Sequence, residues 1–172
     1  MLSNKLLEWD SIRAIRELTS LYFYDEIGGK ENEHQDYKLA EYYASKTAKK
    51  DGEASNLLGA IYYFGDEEME DYAKAFYWWS NGAKLGESSC YNNLGMLYLH
   101  GNGINKNCKK AFECFKKAIL LDVNNAKPYY NMARMFMEGL YVKANRDSMK
   151  YYLQKAKDLG DEDALILYEN EF

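Results

Sequence analysis

Proline is nearly missing from this chain: Pro128 is the one instance in 172 residues. Few forced breaks, and no stretch alternating β-branched with polar residues, point to helices joined by short turns and away from strands. Cysteine is scarce as well. Cys90, Cys108 and Cys114 cannot all pair with one another and do not recur at a fixed interval, which excludes a disulfide-stapled scaffold. No run approaches the ~18 uninterrupted apolar residues of a membrane span. The opening MLSNKLLEWDS lacks a basic start followed by an apolar core, so a cytoplasmic chain with reduced thiols is expected. Concentrated positive charge is absent too. The net charge is -5, and the pairs Lys49-Lys50, Lys109-Lys110 and Lys116-Lys117 stand among acids as solvated faces, which disfavours nucleic acid as a partner.

What the chain does have is apolar residues, 47% of the total, and 17 tyrosines. The tyrosines suit helix-pair edges, where a ring buries apolar area while its hydroxyl reaches water. It also has repetition. Leu58-Gly59 with Tyr62 and Gly65 returns as Leu94-Gly95 with Tyr98 and Gly101, a shift of 36 residues, and self-similarity at such a period marks stacked repeats. Between these copies, Ala75, Trp78, Gly82 and Ala83 precede Gly86, and Ala111, Cys114, Ala118 and Ile119 follow Gly101. A fainter third copy carries Met132-Ala133, Phe136, Gly139, Met149, Tyr152, Ala156 and Gly160. Glycine inside a helix costs roughly 1 kcal/mol against alanine, so Gly59 and Gly95 imply close approach of a neighbouring helix. Tyr62, Trp78, Tyr98 and Phe115 are large enough to fill the space beside them.

The pattern A-x-x-x-L-G-x-x-Y-x-x-G, a loop, then K-A-x-x-W-x-x-A-A and a glycine resembles the Sel-one-like repeat family, relatives of the tetratricopeptide repeats. Ala54, Leu58, Gly59, Tyr62, Gly65, Lys74, Ala75, Trp78, Ala83 and Gly86 carry the resemblance. It implies an all-α, right-handed α-solenoid of antiparallel helix pairs, about four repeats plus a C-terminal capping helix. As one domain over 1–172, it divides into a degenerate leading repeat at 5–52, repeats at 53–86, 87–122 and 123–160, and a cap at 161–172. The leading repeat is expected to place a first helix at about Lys5 to Ile27, a polar loop with His34, and a second helix with Leu39, Ala40, Tyr43 and Ala48. Later helices are expected near 53–65, 70–84, 87–100, 106–121, 125–139, 145–158 and 161–171. Asp71, Asn105, Asn107, Asn124 and Asp161 stand ready as N-caps, and Gly52, Gly65, Gly86, Gly101, Gly103, Gly139 and Gly160 as turn residues.

Catalytic and metal chemistry finds little support. His34 has no second ligand at metal spacing. His100, Cys108 and Cys114 are the one set that offers three ligands for zinc, but Cys114 falls at the repeat's tryptophan position, where a small apolar core residue explains it. Gly101-Asn102-Gly103 lacks the strand and the Lys-Ser or Lys-Thr pair of a phosphate loop. The clusters Asp66-Glu67-Glu68 and Asp161-Glu162-Asp163 miss calcium-loop spacing and suit helix N-termini. No cofactor is expected. The resemblance instead implies a non-catalytic protein–protein interaction module or adaptor that binds a protein or peptide segment in a concave groove lined by the first helices. Taking Gly59, Gly95 and Ala133 as equivalent gives Asn56, Ala60, Tyr63 and Phe64; Asn92, Met96, Leu99 and His100; and Tyr130, Arg134, Met137 and Glu138. With Asn93, these form the candidate partner-binding face. Asn56, Asn92, Asn93 and Asn131 either pair with an extended peptide backbone or brace neighbouring helices. An immunity-type or inhibitor protein that sequesters a dedicated toxin or enzyme is the alternative function. A β-lactamase-like hydrolase, described for some relatives, lacks its serine, lysine and base here.

Overall fold

The computed structural model describes residues 37–65 and 68–172. The expected first helix, the loop carrying His34, and Asp66 and Glu67 lie outside the described residues. Those described form eight α-helices and no strand: α1 (Tyr37–Ser45), α2 (Gly52–Phe64), α3 (Tyr72–Lys84), α4 (Ser88–His100), α5 (Cys108–Leu121), α6 (Ala126–Glu138), α7 (Arg146–Asp158) and α8 (Glu162–Glu171). The chain divides between Gly86 and Glu87 into two compact units.

In the first unit α1 packs on α2 and α2 on α3. Ala40, Ala44 and Ala48 are fully buried, a small-residue row that lets α1 and the turn after it lie close to their neighbours. The turn is braced by polar groups. Asn81 donates its amide to the Ala48 carbonyl at 2.8 Å and to the Ser55 hydroxyl at 2.9 Å, while Ser55 itself donates to Ala48. Carbonyls at a helix end lack intrahelical donors, and these side chains supply them.

Gly59 explains how α2 and α3 meet. A Cβ there would fall 2.5 Å from the Trp79 indole, so only a glycine admits the ring. Trp79 also donates its Nε1–H to the Asn56 carbonyl at 3.1 Å. The ring facing the glycine is therefore Trp79, fully buried, and not its half-buried neighbour Trp78, the residue expected from the sequence. The shift of 36 residues agrees, since it carries Trp79 onto Phe115.

In the second unit α4 pairs with α5, α6 with α7, and α8 closes on α7. Phe115 meets Gly95 as Trp79 meets Gly59. In the next pair the matching residues are Ala133 and Leu153, both fully buried in one core cluster with Tyr129, Met149 and Ala156. A second cluster joins Leu99, Ala111, Phe115, Met132 and Met135. Larger residue on the first helix, smaller residue on the second: the pair conserves the volume of the contact.

Each hairpin turn repeats one arrangement. The residue capping the second helix donates its backbone N–H to an aromatic residue's carbonyl on the first: Asp71 to Tyr62 at 2.8 Å, Asn107 to Tyr98 at 2.7 Å and Asn145 to Phe136 at 3.1 Å. Lys74 places its ammonium 4.8 Å from the Tyr62 ring and Lys110 lies 5.1 Å from Tyr98, giving the lysine of the K-A pair a cation–π role. Asp71, Asn107 and Asp161 accept helix N–H groups as expected, but Asn105 and Asn124 do not serve as caps. Asn107 caps α5 and Asn125 caps α6. Of the expected turn glycines, Gly86, Gly101, Gly103, Gly139 and Gly160 have positive φ, whereas Gly65 does not and Gly52 begins α2. Gly101 and Gly139 end their helices in the left-handed conformation, donating to the Leu97 and Met135 carbonyls, where a side chain would be strained.

Candidate partner-binding faces

In the first unit the candidate residues lie on α2. Asn56 is half-buried and its carbonyl holds Trp79. Tyr63 sits in an aromatic cluster, its ring centroid 4.6 Å from Phe64, 5.3 Å from Tyr72 and 5.4 Å from Trp79. Phe64 is 63% exposed. Ala60 is buried, so Phe64 presents the apolar surface and Tyr63 supports it from beneath.

In the second unit the candidates lie on α4 and α6. Asn131 donates its amide to Asn92 at 2.9 Å, and Asn92 donates to Asn93 at 3.3 Å. Asn92 and Asn131 are 8% and 5% exposed. Their mutual bond braces α4 against α6, because a buried amide left alone would lose its water partners without replacement. Asn93, at the outer end of this chain of amides, is half-buried. Met96 is half-buried against the cluster of Leu99 and Phe115. Tyr130 is half-buried against Tyr129 and Ala133. Arg134 reaches Glu138 one turn on at 3.3 Å, and His100 stands exposed in the last turn of α4. Leu99 is a correction. Expected on the open face, it is 3% exposed in the core with Ala111 and Met132.

Among the described residues, no group of three His, Cys, Asp or Glu side chains is placed to hold a metal; His100, Cys108 and Cys114 do not form one. None of the three cysteines is in a disulfide. Burial pushes the Cys90 thiol far up, and it pushes Cys114 up to about 11, with Glu113 adding to the effect. Neither is a ready nucleophile, since the thiolate is the reactive form. Burial also raises the Tyr62 hydroxyl, which donates to the Glu41 carboxylate. The Asp161-Glu162-Asp163 cluster belongs to the start of α8. Asp161 caps the helix, and Lys127 lies 3.1 Å from Asp161 and 3.5 Å from Asp163.

Sequence reasoning missed the far end of the second unit. Tyr141 holds φ 63 and packs its ring 5.6 Å from Phe112. Arg146 lies 4.7 Å above the Phe172 ring and Lys150 lies 4.8 Å from it. No motif in the sequence flags these residues.

The Sel1 repeat family model matches residues 20–51, 52–87, 88–123 and 129–161. The chain is 36% identical over 115 residues to the ERAD-associated E3 ubiquitin-protein ligase component HRD3B of Arabidopsis thaliana. That match covers 64% of this chain but 17% of the relative, so the chain spans under a fifth of its length. Among solved structures, a Sel1 repeat protein from Oxalobacter formigenes superimposes with a TM-score of 0.75 at 18% identity, covering 91% of this chain and 62% of that one. A protective antigen of uropathogenic Escherichia coli displaying an SLR fold gives 0.73 at 24% identity, covering 95% of this chain and 34% of that one. These two likenesses establish the fold. Sel1 repeat proteins typically mediate protein–protein interaction and are generally non-catalytic. No helix among the described residues is long and apolar enough to cross a membrane. With four copies of the family's repeat and an all-α helical-repeat fold, the chain belongs to the Sel1 repeat family.

Proposed function

We propose that this chain is a non-catalytic adaptor that holds a segment of a partner protein against the first helices of its pairs. The observation that carries this reading is the braced face of α4 and α6. Its buried Asn92–Asn131 bond fixes the two helices, and Asn93, Met96, His100, Tyr130 and Arg134 remain half-buried or exposed around it. That mixture provides apolar anchors beside amide and cationic groups, the composition that peptide-binding surfaces use. On the first unit, Asn56, Tyr63 and Phe64 offer an aromatic anchor of the same kind. HRD3B, the relative from Arabidopsis, is an E3 ubiquitin-protein ligase component, which accords with a part played within an assembly.

Selection of binders from a random-peptide display library on the purified chain tests the reading. Phe64→Ala should weaken peptides held by the first unit, and Met96→Asp those held by the second, tenfold or more, while Lys116→Glu on α5 leaves both bound. Peptides that tolerate both first-helix variants and fail on Lys116→Glu would overturn it.

A further inference from the structure

We infer that the turn joining α5 to α6 inserts an aliphatic tip into the surface of an anionic lipid bilayer, with lysines of α5 resting on the headgroups. It is independent of the first-helix face, because α5 is a second helix. At this turn the repeat departs from its own pattern. The second-helix caps Asp71, Asn107 and Asn145 bring Leu85, Leu121 and Leu159 into register at the helix ends. Leu85-Gly86 then leads to the cap Glu87 and Leu159-Gly160 to the cap Asp161, whereas Leu121-Asp122-Val123-Asn124 leads to Asn125, two residues more. Insertions in stacked repeats collect in loops, where binding surfaces commonly lie.

The longer turn is also the apolar one. Leu120 is 68% exposed and Val123 61%, with Leu121 exposed between them, while the residues aligned with Leu120 in the neighbouring copies are charged, Lys84 and Asp158. Side chains exposed to this degree project into solvent, so a protein partner would have to bring the pocket, whereas a lipid interface needs no matching shape. Charge favours the lipid. Lys109, Lys116 and Lys117 precede Leu120 by eleven, four and three residues, spacings that put all of them on one face of α5. None of these three lysines forms an ion pair among the described residues. Two acids stand nearby, but Asp122 is engaged within the turn, accepting the Asn124 N–H at 3.0 Å, and Glu113 is outnumbered on its helix. Apolar side chains entering the headgroup boundary, beside cations that attract anionic lipid, let a protein lie on a membrane without spanning it.

The probe is a unilamellar vesicle of equimolar phosphatidylcholine and phosphatidylserine, mixed with the full chain and separated by flotation. Binding is expected, weakening about fivefold or more on phosphatidylcholine alone and falling as salt is added. Leu120→Asp and Val123→Asp should each weaken it about tenfold or more, and Lys116→Glu combined with Lys117→Glu about fivefold. Phe64→Ala should leave it unchanged. Because these positions are exposed, all variants on α5 and its turn should keep the parent melting temperature, which separates lost docking from lost folding. Absence of flotation at millimolar lipid, equal flotation of Leu120→Asp, or equal binding to phosphatidylcholine alone would overturn the proposal. So would a chain that ignores vesicles yet binds a blocked helical peptide of leucine and glutamate through Leu120, which would assign the tip to a protein partner.

Discussion

At the scale of single residues, glycine and its facing ring are one unit of design. Gly59 faces Trp79 and Gly95 faces Phe115, whereas Ala133 and Leu153 share a core. Gly95→Ala should destabilise by about 1–3 kcal/mol, because its methyl meets Phe115 in a packed core. Adding Phe115→Leu should recover part of that loss, by analogy with Ala133 and Leu153. Urea unfolding of the two single variants and the double variant would show a coupling of about 0.5 kcal/mol or more; strictly additive changes would mean the two positions do not share a contact. The glycine half of this unit was legible in the sequence from its recurrence, but two adjacent tryptophans hid which ring answers it. The thiols give a second test. At pH 8 alkylation of the native protein should label Cys108 first, then half-buried Cys114, whose thiol burial holds up at about 11, with buried Cys90 reacting on unfolding. The pH dependence has a definite sign. Burial holds Cys114 at about 11 against an ordinary 9.0, so as pH rises through that window the unfolded thiol loses its proton first and stability falls. A melting temperature unchanged across it would contradict a Cys114 thiol held up by the fold.

At the scale of elements, side-chain amides decide how helices join. Asn131→Ala should cost about 1–3 kcal/mol because it strands the buried Asn92 amide, while Asn93→Ala, at the half-buried end, should cost little. Thermal melts separate the two, and equal losses would remove the brace from the account. The sequence placed these asparagines in one column without deciding between a ligand and a brace, since that depends on which helix lies opposite. Leu99 shows the same limit. It and His100 are neighbours in sequence but stand about 100° apart around the helix, enough to put one in the core and the other in water. Helix ends were clearer, because Asp71, Asn107 and Asp161 are good caps at the right spacing. Between Asn124 and Asn125 composition cannot choose, and the structure takes Asn125.

For the molecule as a whole, the repeat period, the absence of proline breaks and the glycine–ring pairs were sufficient to define an all-α helical-repeat fold. The binding face was less legible, because a partner is recognised by residues that the core does not constrain. Tyr63 illustrates this: its place among Phe64, Tyr72 and Trp79 depends on how α3 packs against α2. If first helices hold the partner and second helices do not, hydroxyl-radical footprinting of the chain with and without a selected peptide will show it. Exposed side chains of both classes are available as reporters: Phe64 and His100 on first helices, and Tyr77, Leu120 and Tyr151 on second helices. Bound peptide is expected to shield Phe64 on the first unit, or Met96, His100 and Tyr130 on the second, and to leave Tyr77, Leu120 and Tyr151 as reactive as before. Shielding of Tyr77, Leu120 or Tyr151 with the first-helix residues unchanged would contradict it.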